Sequence, residues 1–396
     1  MEVLLSLIYV AFIILALIEE KRKYGCPSSP LYLVVVFNSA VLSLYYVTQD
    51  WLGFEHLIWR TPYIILRGCF FFSLVSLFFT HLNTSNTKYK QLQLNFVRET
   101  PGRKMLILAF ITVVFMTIRI FAYGVSNILE DEDTASSFGG NGLGGHVLVL
   151  QIFLTTHILG RKFELRNLFV IAPLFLCLFL YNVKAWIIIP LLIGWFIHRD
   201  LRKVTINPLW YIVIPVLIFA IFTISYMLTL GFDIDNMSFI WAHFCKYIYA
   251  GIGGLNVALR DHYPIGTTPT AGLPSFISLI FGLNSRTPSV YDNIVINYET
   301  TEWTNVLSLF GTTYLINGSF VGILYIISLA IISYVLYNKR LNTNNYWFYL
   351  AYYLWASGLI LSFFSNYYKL LNIWEMTTYS FIIGWWYKNI KRTEVK

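Results

Sequence analysis

The stretch LFVIAPLFLCLFLYNVKAWIIIPLLIGWFIH, residues 168–198, decides how the chain is laid out. As one helix it would be about 46 Å long, which is too long for a bilayer core of roughly 30 Å. Its flanks, RKFELR at 161–166 and RDLRK at 199–203, are both basic, and basic flanks stay on the cytoplasmic side of a membrane. The sequence therefore predicts two short helices joined by a turn at YNVK, Tyr181 to Lys184.

The composition of the whole chain is that of a membrane protein. Apolar residues make up 57% of 396 residues and charged residues only 12%, whereas a soluble domain carries about 25% charged residues. The net charge of +8 belongs to loops that follow the positive-inside rule, so no nucleic-acid partner is expected. The four cysteines have no CxxC or CxxH spacing, which argues against a disulfide framework and a zinc site.

Eleven apolar runs have the length and composition of membrane spans. They lie near 2–18, 30–48, 61–82, 105–124, 144–160, 168–181, 185–198, 207–230, 315–336, 346–367 and 373–387. The loops after the odd-numbered helices, together with the C-terminal tail, hold 20 of the 28 Lys and Arg residues. The predicted fold is thus all-α and polytopic, with the N-terminus outside and the C-terminus inside.

One connection is much longer than the others. Residues 231–304 would form a large external loop within a single integral membrane domain, 1–396. The segments SFIWAHFCKYIY and LPSFISLIFGL in this loop are too apolar for a separate soluble domain. They are typical of helices that lie on the bilayer surface.

Basic residues cluster near the outer face of the predicted bundle. Arg67, Arg119 and Lys184 lie in the outer third of their helices, and an ionisable residue inside a span is costly enough to suggest a site. Snorkelling towards lipid phosphates is the alternative explanation. Arg260 and Arg286 on the external loop would add to the same basin, which predicts an anionic ligand such as a lipid phosphate or diphosphate.

The segment HFCKYIYAGIGGLNVALRDHYP, residues 243–264, combines glycines with a basic tripeptide. One interpretation is that Gly251, Gly253 and Gly254 let the backbone approach a ligand, which Arg260 and His262 then contact. The other interpretation is that the glycines break an interfacial helix and that Arg260 pairs with Asp261.

Three segments resemble the O-antigen polymerases, the Wzy-type polymerases of oligosaccharide repeat units. They are YNVKAWIIIPLLIGWF at 181–196, KYIYAGIGGLNVAL at 246–259 and TEWTNVLSLFGTTYLINGSFVGILYIISLAIISYVLY at 301–337. Together they cover about a quarter of the chain. Two positions depart from the family pattern: Lys184 stands where arginine is frequent, and LING at 315–318 replaces an acidic step.

The resemblance implies a fold like that of the C-type membrane glycosyltransferases and a reaction at the periplasmic face of the bacterial inner membrane. Repeat units carried on undecaprenyl diphosphate would be joined into O-antigen or capsular polysaccharide. The departing diphosphate needs cations, and the expected diphosphate-binding residues are Arg119, Lys184, Arg260 and Arg286. The acceptor hydroxyl needs a base, and the candidate catalytic residues are His243, His262 and Glu302.

Aromatic residues of the external loop are the candidate glycan-binding residues, because aromatic rings stack on sugar faces. They are Trp241, Tyr249, Tyr263 and Trp303, although Trp and Tyr also form ordinary interfacial belts. Besides the lipid-linked substrate, the expected partners are membrane lipids and a chain-length regulator. No cofactor and no metal are expected, since DED at 131–133 lies among Ser, Gly and Asn residues typical of a flexible loop.

Two other functions remain open. An O-antigen ligase would use the same lipid-linked donor with the lipid A core as acceptor. A transporter or flippase of lipid-linked glycans would need a charged cavity that reaches both leaflets, whereas the basic residues in the predicted helices cluster near one face.

Overall fold

The computed structural model is mostly helical, as the sequence predicts. It describes residues 2–25, 28–82, 101–130, 142–162, 164–180, 184–202, 209–231, 233, 236–266, 268–283, 288–297, 302–342 and 345–393. The first helices are α1 (Glu2–Tyr24), α2 (Pro30–Leu52), α3 (Arg60–Leu82), α4 (Arg103–Tyr123), α5 (Val125–Glu130), α6 (Gly142–Leu159), α7 (Leu168–Leu180), α8 (Lys184–Arg202) and α9 (Trp210–Leu230). They are followed by α10 (Met237–Arg260), α11 (Ser275–Phe281), α12 (Leu309–Gly311), α13 (Gly318–Asn342), α14 (Tyr346–Ile360) and α15 (Leu371–Thr393).

A helix coincides with each of the eleven predicted apolar runs. Five helices of the described residues are long and apolar enough to cross a bilayer: α2, α3, α4, α6 and α13. The chain is therefore a multi-pass membrane protein by helix length and hydropathy. The turn predicted at Tyr181 to Lys184 falls between α7 and α8, and residues 181–183 lie outside the described part of the chain.

The chain divides into two compact units, each built from separate segments. The first unit comprises Met1–Lys90, Trp241–Asn342 and Trp355–Trp374. The second comprises Gln91–Ile240, Thr343–Leu354 and Glu375–Lys396.

The ends of α2 show how local sequence sets helix boundaries. Pro30 occupies the first turn, where its missing N–H leaves no hydrogen bond unmade and its fixed φ suits the helix. Gly53 follows the last turn with φ 69°, and its N–H donates to the carbonyl oxygen of Gln49. This left-handed conformation favours glycine, which has no Cβ to clash with the backbone.

The core of the first unit contains a buried carboxyl group. Glu20 of α1 is 2% exposed and accepts hydrogen bonds from Ser29, from Ser76 and from Tyr334. The Ser76 oxygen lies 2.6 Å from Glu20 Oε1. Three helix-associated donors therefore satisfy a group that could not otherwise be buried.

The second unit packs aromatic rings around a buried histidine. The His157 ring of α6 stacks on Trp347 of α14 with ring centroids 5.1 Å apart. The guanidinium of Arg161 lies 4.1 Å from the centroid of the Tyr346 ring. On α8, a Cβ at Gly194 would lie 2.9 Å from Leu159 Cβ, so α6 and α8 approach closely there.

The region predicted as an external loop is more regular than expected. SFIWAHFCKYIY forms the first half of α10, and the helix continues to Arg260 with its second half buried in the first unit. LPSFISLIFGL forms the short helix α11, in which Leu279, Ile280 and Phe281 are each at least 70% exposed. The prediction of a surface-lying apolar helix therefore suits α11, whereas the second half of α10 belongs to the core.

A two-stranded antiparallel sheet packs on α10. The strands β1 (Ile294–Asn297) and β2 (Glu302–Thr304) pair Ile294 with Thr304 and Val295 with Trp303. A Cβ at Gly253 of α10 would lie 3.3 Å from the Ile296 side chain. The close approach of helix and sheet therefore depends on the small residues of α10.

Candidate functional site

The glycines of α10 serve helix packing. A Cβ at Gly251 would lie 2.1 Å from the carbonyl oxygen of Phe364, and one at Gly254 would lie 2.7 Å from that of Val306. The helix runs through all three glycines without a break. The prediction that these glycines break a helix is therefore wrong, and the space in which a ligand was expected is filled by neighbouring protein atoms.

A histidine–glutamate cluster lies near the start of α10. It consists of His243, Lys246, Glu302 and Trp303. Lys246 Nζ lies 2.9 Å from Glu302 Oε2, and His243 Nδ1 lies 3.2 Å from Glu302 Oε1. The side chains of β2 alternate, so that Glu302 is buried against α10 while Trp303 is 47% exposed. The structure thus brings together His243 and Glu302, two of the candidate catalytic residues.

The electrostatics of this cluster fix the state of its carboxyl group. Burial disfavours ionisation of Glu302, but hydrogen bonds and charge from Lys246 and His243 outweigh burial and lower its pKa below the usual value. An ionised carboxylate only accepts, so Nδ1 of His243 is the donor in this hydrogen bond. The carboxylate thereby fixes which nitrogen of the His243 ring faces β2.

Sequence reasoning missed Lys246. It follows His243 by three positions on one helix, so the two side chains share a face, and that spacing is the signal that could have found it. The Lys246 ammonium also lies 5.0 Å from the centroid of the Trp303 ring. Trp303 is therefore a half-exposed ring held next to a positive charge.

A second candidate site, which we name the arginine pocket, lies at the other end of α10. It is a cavity of about 390 Å³ lined by Ile58, Trp59, Arg60, Leu259, Arg260 and His262. Two of the predicted site residues, Arg260 and His262, therefore share one cavity. Arg60, which opens α3, was not predicted and adds a third basic side chain.

Arg260 is already paired with acids. Its Nε donates to Asp261 Oδ1 at 2.7 Å, and its Nη1 donates to Glu55. The alternative in which Arg260 pairs with Asp261 is therefore confirmed, with Glu55 as a second partner. Because both acids compensate its charge, binding of a phosphate here requires exchange of a carboxylate contact.

His262 has an unusual backbone conformation. Its φ is 56°, in the left-handed region that favours glycine. The N–H of Tyr263 donates to the carbonyl oxygen of Ala258 at 2.9 Å, which closes the end of α10 around His262. A non-glycine residue at such a position costs of order 1–3 kcal/mol, and such residues cluster at functional sites.

One buried amide holds the wall of the arginine pocket in place. Asn256 of α10 is fully buried, and its Oδ1 accepts from Ile58 N at 2.9 Å and from Thr61 Oγ1 at 2.8 Å. Its Nδ2 donates to the carbonyl oxygen of His56 at 2.9 Å. A segment without regular structure is thereby fixed against α10, which positions Trp59 and Arg60.

The two candidate sites are separate. Positions 243 and 260 lie about 26 Å apart along α10, at about 1.5 Å per residue. A single reacting atom cannot touch both His243 and Arg260. The candidate catalytic residues therefore fall into two groups, with His243 and Glu302 at one end of the helix and His262 at the other.

The remaining predicted residues have varied surroundings. Trp241 is 43% exposed, and the Tyr263 ring lies 5.8 Å from the ring of Tyr291. Tyr249 is 3% exposed and packs edge-on against Tyr45 at 5.2 Å, which gives it a packing role. Arg119 belongs to the second unit, where its guanidinium lies 5.3 Å from the centroid of the Tyr123 ring.

Several predictions concern residues that the structure does not describe. Arg286 lies outside the described residues, as do Asp131 and Asp133, and Lys184 is described only as the first residue of α8. Within the described ranges, no group of three or more His, Cys, Asp or Glu side chains could hold a metal ion.

The long apolar helices define a multi-pass membrane protein, and basic side chains line a pocket where α3 begins and α10 ends. Residues 53–391 match a family of unknown function (DUF6337), and the chain belongs to that family. No curated protein and no solved structure gave a significant match to the chain.

Proposed function

We propose that the protein is a glycosyltransferase of the bacterial inner membrane, facing the periplasm, which polymerises oligosaccharide repeat units carried on undecaprenyl diphosphate. The observation that carries the proposal is the arginine pocket, where Arg60, Arg260 and His262 line one cavity at the start of an apolar helix. Lipid-linked glycan transfer needs cations for a diphosphate and a base for a hydroxyl in one place. The resemblance of three segments to the O-antigen polymerases supports the same reaction.

The pocket residues would divide the chemistry between them. The acceptor hydroxyl oxygen attacks the anomeric carbon of the donor glycan while the bond from that carbon to the diphosphate breaks. His262 takes the hydroxyl proton, and Arg60 and Arg260 neutralise the charge on the departing undecaprenyl diphosphate. Arginine suits this role because its planar fork binds phosphate oxygens in pairs.

The histidine–glutamate cluster would bind glycan away from the reacting atoms. A polymer reaches easily across about 26 Å, the distance along α10 between positions 243 and 260. The exposed Trp303 ring offers a flat apolar face for a sugar, beside the positive charge of Lys246.

The test is the glycan profile of a strain from which the gene is deleted. A polymerase defect leaves single repeat units on the lipid A core, and that result is expected. Polymer accumulating on its lipid carrier would instead indicate a ligase, and absence of both products at the outer face would indicate a flippase; either result overturns the proposal.

Complementation at matched expression tests the pocket itself. Arg60→Ala and Arg260→Ala should each shorten the glycan ladder, with a rate loss on the order of 10²-fold, typical for one electrostatic donor at a transition state. Arg22→Ala is the matched control, since the Arg22 side chain is 80% exposed. Glycan ladders of normal length from both pocket variants would show that the diphosphate does not bind in the arginine pocket.

A further experiment addresses metal. Polymerisation by the purified protein should survive excess EDTA, because the proposed mechanism uses only arginine and histidine side chains. Loss of activity that Mg²⁺ or Mn²⁺ restores would contradict this expectation and make Asp131 and Asp133 the candidate metal ligands.

A further inference from the structure

Three paired segments link the two candidate sites along α10. They are β1, β2 and the residues Phe54 and Glu55, which lie just after α2, and we name them the bridging sheet. Phe54 pairs with Asn297 of β1 in an isolated antiparallel bridge, and Asn297 pairs in turn with Glu302 of β2. Each outer segment of the sheet therefore carries a glutamate, Glu55 on one and Glu302 on the other.

The face of α10 beneath this sheet carries a lysine, a glycine and an arginine at equal spacing. Lys246, Gly253 and Arg260 are seven positions apart, which places them on one side of the helix at intervals of about 10 Å. A Cβ at Gly253 would lie 3.3 Å from the side chain of Ile296 in β1, so the sheet crosses α10 at this glycine. A cation of α10 therefore lies on either side of the crossing.

Each of these cations contacts a glutamate of the bridging sheet. Lys246 Nζ lies 2.9 Å from Glu302 Oε2, and Nη1 of Arg260 donates to Oε2 of Glu55. The N–H of Glu55 donates to the carbonyl oxygen of Ile296 at 3.4 Å. The position of Glu55, and with it the contact to Arg260, therefore depends on the position of β1.

The two glutamates are connected through buried contacts. Asn297, which pairs with both outer segments, is 2% exposed, and its Nδ2 donates to the carbonyl oxygen of Leu52 at 2.8 Å. Phe54 is buried and packs edge-on against Tyr249 of α10, with ring centroids 5.2 Å apart. Protein interiors are close-packed and transmit strain, so a shift of β2 is passed through Asn297 to the segment that holds Glu55.

The glutamates compete with ligands at both sites. Asp261 accepts from Nε of Arg260 at 2.7 Å and from Nη2 at 3.2 Å, and Glu55 accepts from the remaining nitrogen, Nη1. An anion that binds Arg260 must therefore replace a carboxylate, and its affinity depends on how firmly Glu55 is held. Lys246 is compensated by Glu302 in the same way, so a ligand there also competes with a carboxylate.

We propose that the bridging sheet couples the two sites, so that release of Glu302 weakens the contact between Glu55 and Arg260 and raises the affinity of the arginine pocket for a diphosphate. The proposal rests on the proposed function, which places the diphosphate in that pocket. Coupling between binding sites is reciprocal, so a diphosphate in the pocket also favours a ligand at Lys246. The protein then binds its diphosphate most tightly when the histidine–glutamate cluster is occupied.

Inorganic pyrophosphate is the probe for the arginine pocket, and isothermal titration calorimetry of the full-length protein in detergent gives its dissociation constant. Glu55→Gln should lower this constant about 10-fold, because an amide binds a guanidinium less strongly than a carboxylate does. Glu302→Gln should lower it by roughly 5-fold or more, the usual size of coupling between sites. Asp50→Asn is the matched control, since it removes the same charge and Asp50 contacts His56, outside the bridging sheet.

Two further measurements test the route through the sheet. Asn297→Ala removes the bond to Leu52, so in this background Glu302→Gln should no longer change the affinity for pyrophosphate; an undiminished effect would overturn the proposal. In the wild-type protein, saturating pyrophosphate should make amide hydrogen exchange faster in β2 and leave α13 unchanged. Exchange in β2 that does not respond to pyrophosphate would also overturn the coupling.

The coupling and the proposed function fail in different ways. A change of affinity in Glu302→Gln no larger than that in Asp50→Asn would overturn the coupling and leave the diphosphate site in place. Binding that is absent from wild type and Glu55→Gln, or unaffected by Arg260→Ala, would show that no diphosphate binds in the pocket and would overturn both. A ligase or flippase profile in the deletion strain, with the effect of Glu302→Gln intact, would exclude the polymerase function and support the coupling.

Discussion

The Nδ1 atom of His243 lies 3.2 Å from the Oε1 atom of Glu302, and a lysine binds the other carboxylate oxygen. Burial disfavours the charged form of Glu302, but these two partners outweigh it and hold its pKa below the ordinary value of 4.5. The pKa in the folded protein is thus lower than in the unfolded chain. Ionised Glu302 therefore stabilises the fold above the unfolded pKa, and this contribution is lost as pH falls through the folded pKa.

Glu302→Gln should remove that contribution. We expect the variant to lose about 1–3 kcal/mol of stability at neutral pH, because Lys246 is left without a charged partner. Its thermal unfolding in detergent should also depend less on pH below about 4.5. Glu19→Gln is the control, since Glu19 contacts the exposed Arg22. Identical acid sensitivity of wild type and Glu302→Gln would contradict the prediction.

His262→Gly separates the imidazole from the backbone it occupies. Glycine adopts a φ of 56° without strain, so the unfolding temperature should stay the same or rise. Glycan transfer should nevertheless fall about 10²- to 10⁴-fold, the usual contribution of a general base. His262→Asn, which tolerates the same backbone, should behave alike. Full activity in His262→Gly, with loss in His243→Ala, would move the base to the histidine–glutamate cluster.

Asn256→Leu should release the segment before α3. The N–H of Ile58 and the hydroxyl of Thr61 would lose their acceptor, at a cost of about 1–3 kcal/mol for each buried group left unsatisfied. Hydrogen exchange should become faster at Ile58 while α10 itself stays protected. Thr61→Val removes one of these bonds alone and should have a smaller effect. Unchanged exchange at Ile58 would show that other contacts hold the segment.

Gly251→Ala should disrupt the packing of α10. A Cβ there would lie 2.1 Å from a backbone oxygen, so the neighbouring chain must move, and overpacking of this kind costs typically 1–3 kcal/mol. Gly253→Ala is the matched control on the same helix, because its nearest contact is the Ile296 side chain at 3.3 Å. The measurement is the unfolding temperature of both variants. Equal temperatures would mean that the backbone at Phe364 yields easily.

Reporter fusions test the predicted orientation. A fusion after Lys203 should be cytoplasmic, because basic residues flank α8, and a fusion near Ser285 should be periplasmic. Alkaline phosphatase and green fluorescent protein report the two sides. Both fusions on the same side would show that the predicted turn at Tyr181 to Lys184 is wrong.

Hydropathy predicts the helices well because apolar length alone determines whether a segment can span a bilayer. The run predicted at 61–82 is α3, Arg60–Leu82. Hydropathy fails where tertiary contacts set the end of a helix. The run predicted at 346–367 is helical only to Ile360, and a 3₁₀ turn follows at Leu361–Phe363. The carbonyl oxygens of Phe363 and Phe364 then pack on Gly251.

The candidate sites were predicted in part. His243 and Glu302 are candidates because of their residue types. Their contact joins positions 59 apart in sequence, so no local sequence pattern predicts it. Arg260 and Glu55 are 205 positions apart. A glycine in a sequence indicates backbone freedom, whereas the role of Gly251 and Gly254 depends on the backbone that lies opposite them. Long-range partners are what a single sequence leaves undetermined.

The buried Glu20 constrains how the chain is made. One of its three donors, Tyr334, is 314 residues further along the chain. At about 5–20 residues per second, roughly 15–60 s of translation separate the two. During that interval the carboxyl group of α1 needs other hydrogen-bond partners, which water, lipid head groups or the insertion machinery can supply. The carboxyl group of α1 therefore reaches its final environment only after α13 has been inserted.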